Sequence, residues 1–129
     1  MIEVYIDGAS AGNPGPSGAG IFIKGHGSAE RYSFPLGLMS NHEAEYYALI
    51  KALEICINQN YRTVSFRTDS ELVSRAVEKE FAKNKKYAPL LDQALKLIRE
   101  LDLFFIKWIP SNDNKTADEL ARLAIRKNN

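Results

Sequence analysis

The sequence predicts an α/β domain built on a mixed five-stranded sheet, three antiparallel strands and then parallel ones, flanked by helices. Three observations carry that expectation. The first third of the chain offers three strand-like segments separated by glycine-rich turns. From residue 40 onward, segments of helical periodicity alternate with segments of strand character, the order that yields parallel strands joined by right-handed crossovers. The 129 residues, 45% apolar and 26% charged, suit one self-sufficient core over residues 1–129, without linker, repeat or low-complexity run.

Ile2, Val4 and Ile6 alternate with Glu3, Tyr5 and Asp7, the period of a strand with one face in a core, and Asp7 is expected at its end. The stretch from Gly8 to Pro16 is dense in glycine and proline and is expected to form a tight preset loop. Gly20 to Lys24 reads as the second strand. After the turn at 25–28, Arg31 to Leu36 reads as the third, with Tyr32, Phe34 and Leu36 on one face. Ser40 and Glu43 match a capping box. The helix they open carries Tyr46, Leu49, Ile50, Leu53 and Ile57 as its apolar stripe and is expected to end near Asn58 to Asn60.

Thr63 to Thr68 alternates as a fourth strand and runs into Asp69-Ser70-Glu71, where a helix with Leu72, Val73, Ala76 and Val77 begins. Asp69 sits in a good N-cap context. Tyr87 to Arg99 is a further amphipathic helix. Leu103 to Ile109 is apolar except for Lys107, which suits an interior parallel strand covered on both faces, with Trp108 in the core. Thr116 and Glu119 form a second capping box for the last helix.

Several function classes drop out at this stage. The chain enters a strand at once and has no apolar run of membrane-spanning length, so a cytoplasmic protein without membrane attachment is expected. Cys56, the one cysteine, falls on an apolar helix stripe and reads as a packed thiol. A net charge of +1 argues neither for nor against a polyanionic partner, so any nucleic-acid footprint is local. The clearest candidate is the stretch from Glu78 to Lys86, where Lys83, Lys85 and Lys86 with Phe81 and Tyr87 form either a solvated face or a contact for phosphates.

Four acidic residues break the pattern. Asp7 and Asp69 each stand at a strand end, and parallel neighbouring strands would hold them about 4.8 Å apart. Glu45 lies one turn into its helix on the side of Leu49, Ala52 and Cys56, and Asp118 shares a face with Ala121 and Ile125. Each alone has a plain structural explanation as a turn residue, a cap or a dipole partner. Together at one sheet edge, four carboxylates repel unless a cation holds them, and an all-oxygen set favours Mg²⁺ or Mn²⁺. Two such ions serve in-line attack on phosphorus.

Asp7-Gly8-Ala9-Ser10 with Gly12-Asn13-Pro14-Gly15-Pro16, the run from Ser40 to Tyr46, Thr68-Asp69-Ser70 and the run from Ala117 to Ala121 resemble the ribonuclease H type 1 family over essentially the whole chain. The resemblance implies a ribonuclease H-like fold and endonucleolytic cleavage of the RNA strand of RNA/DNA hybrids, leaving 5′-phosphate and 3′-hydroxyl ends. It implies Mg²⁺ or Mn²⁺ held by Asp7, Glu45, Asp69 and Asp118, with the Gly8 main chain beside them. Gly8, Asn13, Asn41 and Ser70 are the expected hybrid contacts, and no obligate protein partner beyond a monomer is implied. A catalytically silent hybrid-binding protein of the same fold and a nuclease acting on single strands remain the alternatives.

The chain departs from that family in three places. The basic stretch is short, and Glu71 stands where relatives can carry glutamine. Many relatives place a histidine in the loop before the last acidic residue, whereas 110–115 contains none and Asn112, Asp113 and Asn114 cannot titrate near neutral pH as histidine does. Slower turnover or stronger inhibition at high metal concentration is therefore expected. Histidine substitutions scanned across 110–115 should raise the steady-state rate or relieve that inhibition, and no change in either would refute the idea.

Overall fold

The computed structural model describes residues 1–127. In chain order the elements are β1 (Ile2–Ser10), β2 (Gly15–Gly25), β3 (Ser28–Met39), α1 (Asn41–Asn58), β4 (Thr63–Thr68), α2 (Glu71–Lys79), α3 (Ala88–Ile98), β5 (Leu103–Trp108) and α4 (Lys115–Lys127), with short 3-10 turns at Lys85–Tyr87 and Ser111–Asp113. The strands form one sheet in the order β3-β2-β1-β4-β5. The pairs β1–β2 and β2–β3 are antiparallel, and β1–β4 and β4–β5 are parallel. This is the expected mixed sheet.

The capping box forms at the start of α1: Ser40 Oγ accepts from the Glu43 amide at 3.2 Å, and Glu43 Oε1 accepts from the Ser40 amide at 3.0 Å. The buried stripe of α1, including Tyr46, Leu49, Ile50 and Leu53, lies against Ile2, Val4, Ile6, Ile21, Ile23, Val64 and Phe66. Those strand residues share one face of the sheet, as alternation and register require.

Helix α4 lies on the other face. Gly8 and Asp7 are adjacent in β1 and so point to opposite sides. A side chain at Gly8 would collide with the backbone of α1 at Ala44 and Glu45, and one at Gly20, the register partner of Asp7, would collide with the backbone of α4 at Ala117 and Ala121. The sheet is therefore gripped from both sides at the level of Asp7. Ala117, Ala121 and Ala124 are the buried residues of α4, small enough to let the helix settle onto β2.

Five expectations need correction. β1 does not end at Asp7. It continues to Ser10, paired with Ser17 to Gly20, and the turn shrinks to 11–14. Small residues hid this, because backbone pairing leaves no apolar alternation to read. β5 is an edge strand and not an interior one: Leu103 is 53% and Phe105 50% exposed. Trp108, 46% exposed, is outside the core and donates its Nε1 proton to the Asp69 carbonyl at 3.1 Å. The cap of α2 is Ser70 and not Asp69, and α4 starts at Lys115, which places Thr116 inside its first turn.

Gly20→Ala should lower stability by roughly 1–3 kcal/mol through overpacking against α4. Urea unfolding would measure it; a loss below half a kcal/mol would mean that α4 is not seated on Gly20.

Candidate active site

The parallel ladder between β1 and β4 ends at Ile6 and Thr68. Asp7 and Asp69 are the next residues of their chains, so the ladder delivers two carboxylates side by side. The Asp69 main chain is fixed from both directions, by the Trp108 indole on its carbonyl and by the Ser70 amide, which donates to Thr68 Oγ1 at 3.0 Å. Asp118 arrives on the first turn of α4, its amide donating to the Asn114 carbonyl at 3.1 Å, and its Oδ2 lies 3.1 Å from Arg122 Nε. Glu45 comes from α1, across the sheet. Its Oε1 accepts from Asn41 Nδ2 at 2.9 Å, and its Oε2, buried without a hydrogen bond, lies 3.5 Å from His42 Nδ1.

The electrostatics tie the four together. Burial raises the Asp7 carboxyl to about 9, aided by the negative charges of Asp69 and Asp118 and by hydrogen bonds to both. Burial also raises Glu45, against the opposing influence of Ser70 and His42, and Asp69 adds to the rise. Asp69 is thus the common neighbour of Asp7 and Glu45. The charges acting on Asp7 are both negative, and the donor atoms of the cluster are carboxylate oxygens, the chemistry that suits a hard divalent cation. Among the described residues no three His, Cys, Asp or Glu side chains stand in a formed metal-holding group.

The expected substrate contacts are distributed unevenly. Asn13 Oδ1 accepts from the Asn41 amide at 3.2 Å, so these two residues bind each other across the β1–β2 turn and lead directly to Glu45. Gly8 faces α1, which accounts for its missing side chain. Ser70 is buried, with Oγ occupied in capping α2. Lys86 Nζ lies 3.8 Å from Glu43 Oε1. Lys83 lines a cavity of about 320 Å³ with Tyr46, Leu72 and Phe81, beside the α1 and α2 starts, while Lys85 is exposed. Two residues carried no mark in the sequence pattern: His42, whose ring also meets Tyr87 edge-on at 6.0 Å between centroids, and Asn114. Their only signal was position, one turn before Glu45 and directly before α4.

Comparison with known proteins places this arrangement. The family model described as reverse transcriptase-like matches residues 6–124. The ribonuclease HI of Halobacterium salinarum is 34% identical over 96% of this chain, which spans 64% of that protein. The crystal structure of RNase H1 from the same halophile superposes with a TM-score of 0.91 and 32% identity, covering 98% of each chain. The chain belongs to the ribonuclease HI family. A second family structure, LC11-RNase H1 in complex with an RNA/DNA hybrid, matches with a TM-score of 0.89 and 32% identity over 98% of each chain. A protein named as a hydrolase, EbsB of Enterococcus faecalis, is 43% identical over 98% of this chain and 96% of its own length.

Within this ribonuclease HI member the loop before α4 folds as a 3-10 turn at Ser111–Asp113 and brings no histidine. His42 is the histidine beside the carboxylates. His26, the other of the chain's two, sits in the β2–β3 turn. Among the described residues no helix is long and apolar enough to cross a membrane.

The raised Asp7 carboxyl has a consequence for stability. Its folded pKa of about 9 lies above its unfolded one, so the folded chain binds the extra proton between those values. The associated stability is fully present below the unfolded pKa and is lost as pH climbs toward 9. In chelator, the melting temperature should fall between pH 5 and 9, and Asp7→Asn should flatten that slope and exceed the native chain at pH 8. A native melting temperature that is flat over this range would contradict the assignment.

Proposed function

We propose that this chain hydrolyses the RNA strand of RNA/DNA hybrids, with Asp7, Glu45, Asp69 and Asp118 as its catalytic, metal-holding carboxylates. The observation that carries this reading is that Asp7 and Asp69 directly follow the last register pair of the β1–β4 ladder, while α1 and α4, seated on Gly8 and Gly20, bring Glu45 and Asp118 to the same level of the sheet. The likeness to a relative solved with an RNA/DNA hybrid supports the substrate class. Two Mg²⁺ or Mn²⁺ ions, when bound, would supply charge for activating water and for the leaving oxygen.

The residues of the chain divide the remaining work. Asp7 and Asp69 form the floor of the site because the ladder fixes their backbones. Glu45 is oriented by Asn41, and Asp118 is carried in by α4. Gly8, Asn13, Asn41 and Ser70 border this floor as the RNA-strand side, where 2′-hydroxyls distinguish RNA from DNA. Lys83, Lys85 and Lys86 provide a short cationic flank for phosphates. A water oxygen adds to phosphorus and the P–O3′ bond breaks, which leaves a 5′-phosphate and a 3′-hydroxyl. We infer that residues 1–129 act as one ribonuclease H-like domain, as a monomer in the cytoplasm.

A labelled RNA/DNA hybrid, offered beside single-stranded RNA and DNA with Mg²⁺, with Mn²⁺ and with chelator, tests the proposal. Only the RNA strand of the hybrid should be cut, only with metal, and Asp69→Asn should reduce the rate by about 10²-fold or more while hybrid binding persists. Hybrid binding without cleavage under either metal would instead identify a catalytically silent hybrid binder, and preferential cutting of single strands would reassign the substrate.

A further inference from the structure

Asn114 joins two parts of the site that are 108 positions apart in sequence. Its side chain, 1% exposed, donates from Nδ2 to the carbonyl of Ile6 at 2.9 Å, the residue directly before Asp7. Its own carbonyl accepts the amide of Asp118 at 3.1 Å. The Ile6 carbonyl requires a donor, which fixes the orientation of the amide. That leaves Asn114 Oδ1 buried without a hydrogen-bond partner.

An amide that buries an unsatisfied acceptor is a poor stabilising device. A serine or aspartate would also start α4. What an asparagine adds is reach: it holds the β1 backbone at Asp7 while its main chain holds Asp118. One residue thus ties the β1 backbone beside Asp7 to the helix turn that carries Asp118.

We propose that Asn114 is a positioning residue that sets the separation of Asp7 and Asp118, and through it the affinity of the site for divalent cations. It rests on the reading of the four carboxylates as the cation site and concerns a group that touches neither substrate nor ion.

The test uses Asn114→Ser in the full chain. Serine caps a helix well but is too short to reach Ile6. Calorimetric titration with Mn²⁺ should show affinity lowered on the order of tenfold, and hybrid cleavage should show kcat lowered on a similar order with KM within about twofold. Leu91→Ala, a core position on α3, is the control for general destabilisation. It should lower the melting temperature and leave Mn²⁺ affinity unchanged. Native Mn²⁺ affinity and kcat in the serine variant would overturn the proposal. So would an equal loss of affinity in Leu91→Ala, or a serine variant that fails to fold, since either makes Asn114 a stability residue. If the native chain and Asp69→Asn bind Mn²⁺ alike, the carboxylate reading itself falls, and this inference with it.

Discussion

The parallel ladder between β1 and β4 is the constraint on which the rest of the structure depends. It ends at Ile6 and Thr68, and the next residue in each strand is an aspartate. No side-chain interaction would place two carboxylates together, because their repulsion opposes it. Backbone hydrogen bonds over five register pairs do so, backed by the burial of Ile2, Val4, Ile6, Val64 and Phe66. The site is held by the sheet, and the energy that holds it comes from apolar contacts further along the same strands.

The two helices that complete the site approach through positions without side chains. α1 reaches β1 at Gly8 and α4 reaches β2 at Gly20, on opposite faces and at the same level of the sheet. Each contact lets a helix backbone come closer than a methyl group would permit. Glu45, one turn into α1, and Asp118, in the first turn of α4, are thereby brought to the level of Asp7.

Around the carboxylates, the polar groups are neutral amides more than cations. Asn41 holds Glu45, Asn13 holds Asn41, and Asn114 holds the backbone at Asp7 and Asp118. Arg122 pairs with Asp118 at the solvent side, at 69% side-chain exposure, where such a pair contributes little. Neutral donors orient carboxylates without neutralising them. That leaves the negative potential of the cluster available to a cation.

Local pattern sufficed for whatever depends on neighbours in sequence. The capping box at Ser40 and Glu43, the limits of β4, the stripes of α1 and α2 and the four acidic residues were all readable from spacing, because helix and strand periods write themselves into side-chain order. The family resemblance came from the same short runs. What spacing does not contain is which strand lies at the edge and which small residues are contact points. β5 has the composition of an interior strand, yet no sixth strand covers it among the described residues, and Trp108 serves Asp69 where the core was expected to take it. Gly20 and Asn114 had no local signal, because their roles exist only across 97 or more positions of chain, between β2 or β1 and α4. The sequence by itself determined which groups are candidates for the chemistry; the tertiary structure decided how far apart they stand, since separation is set by backbone approach and not by residue type.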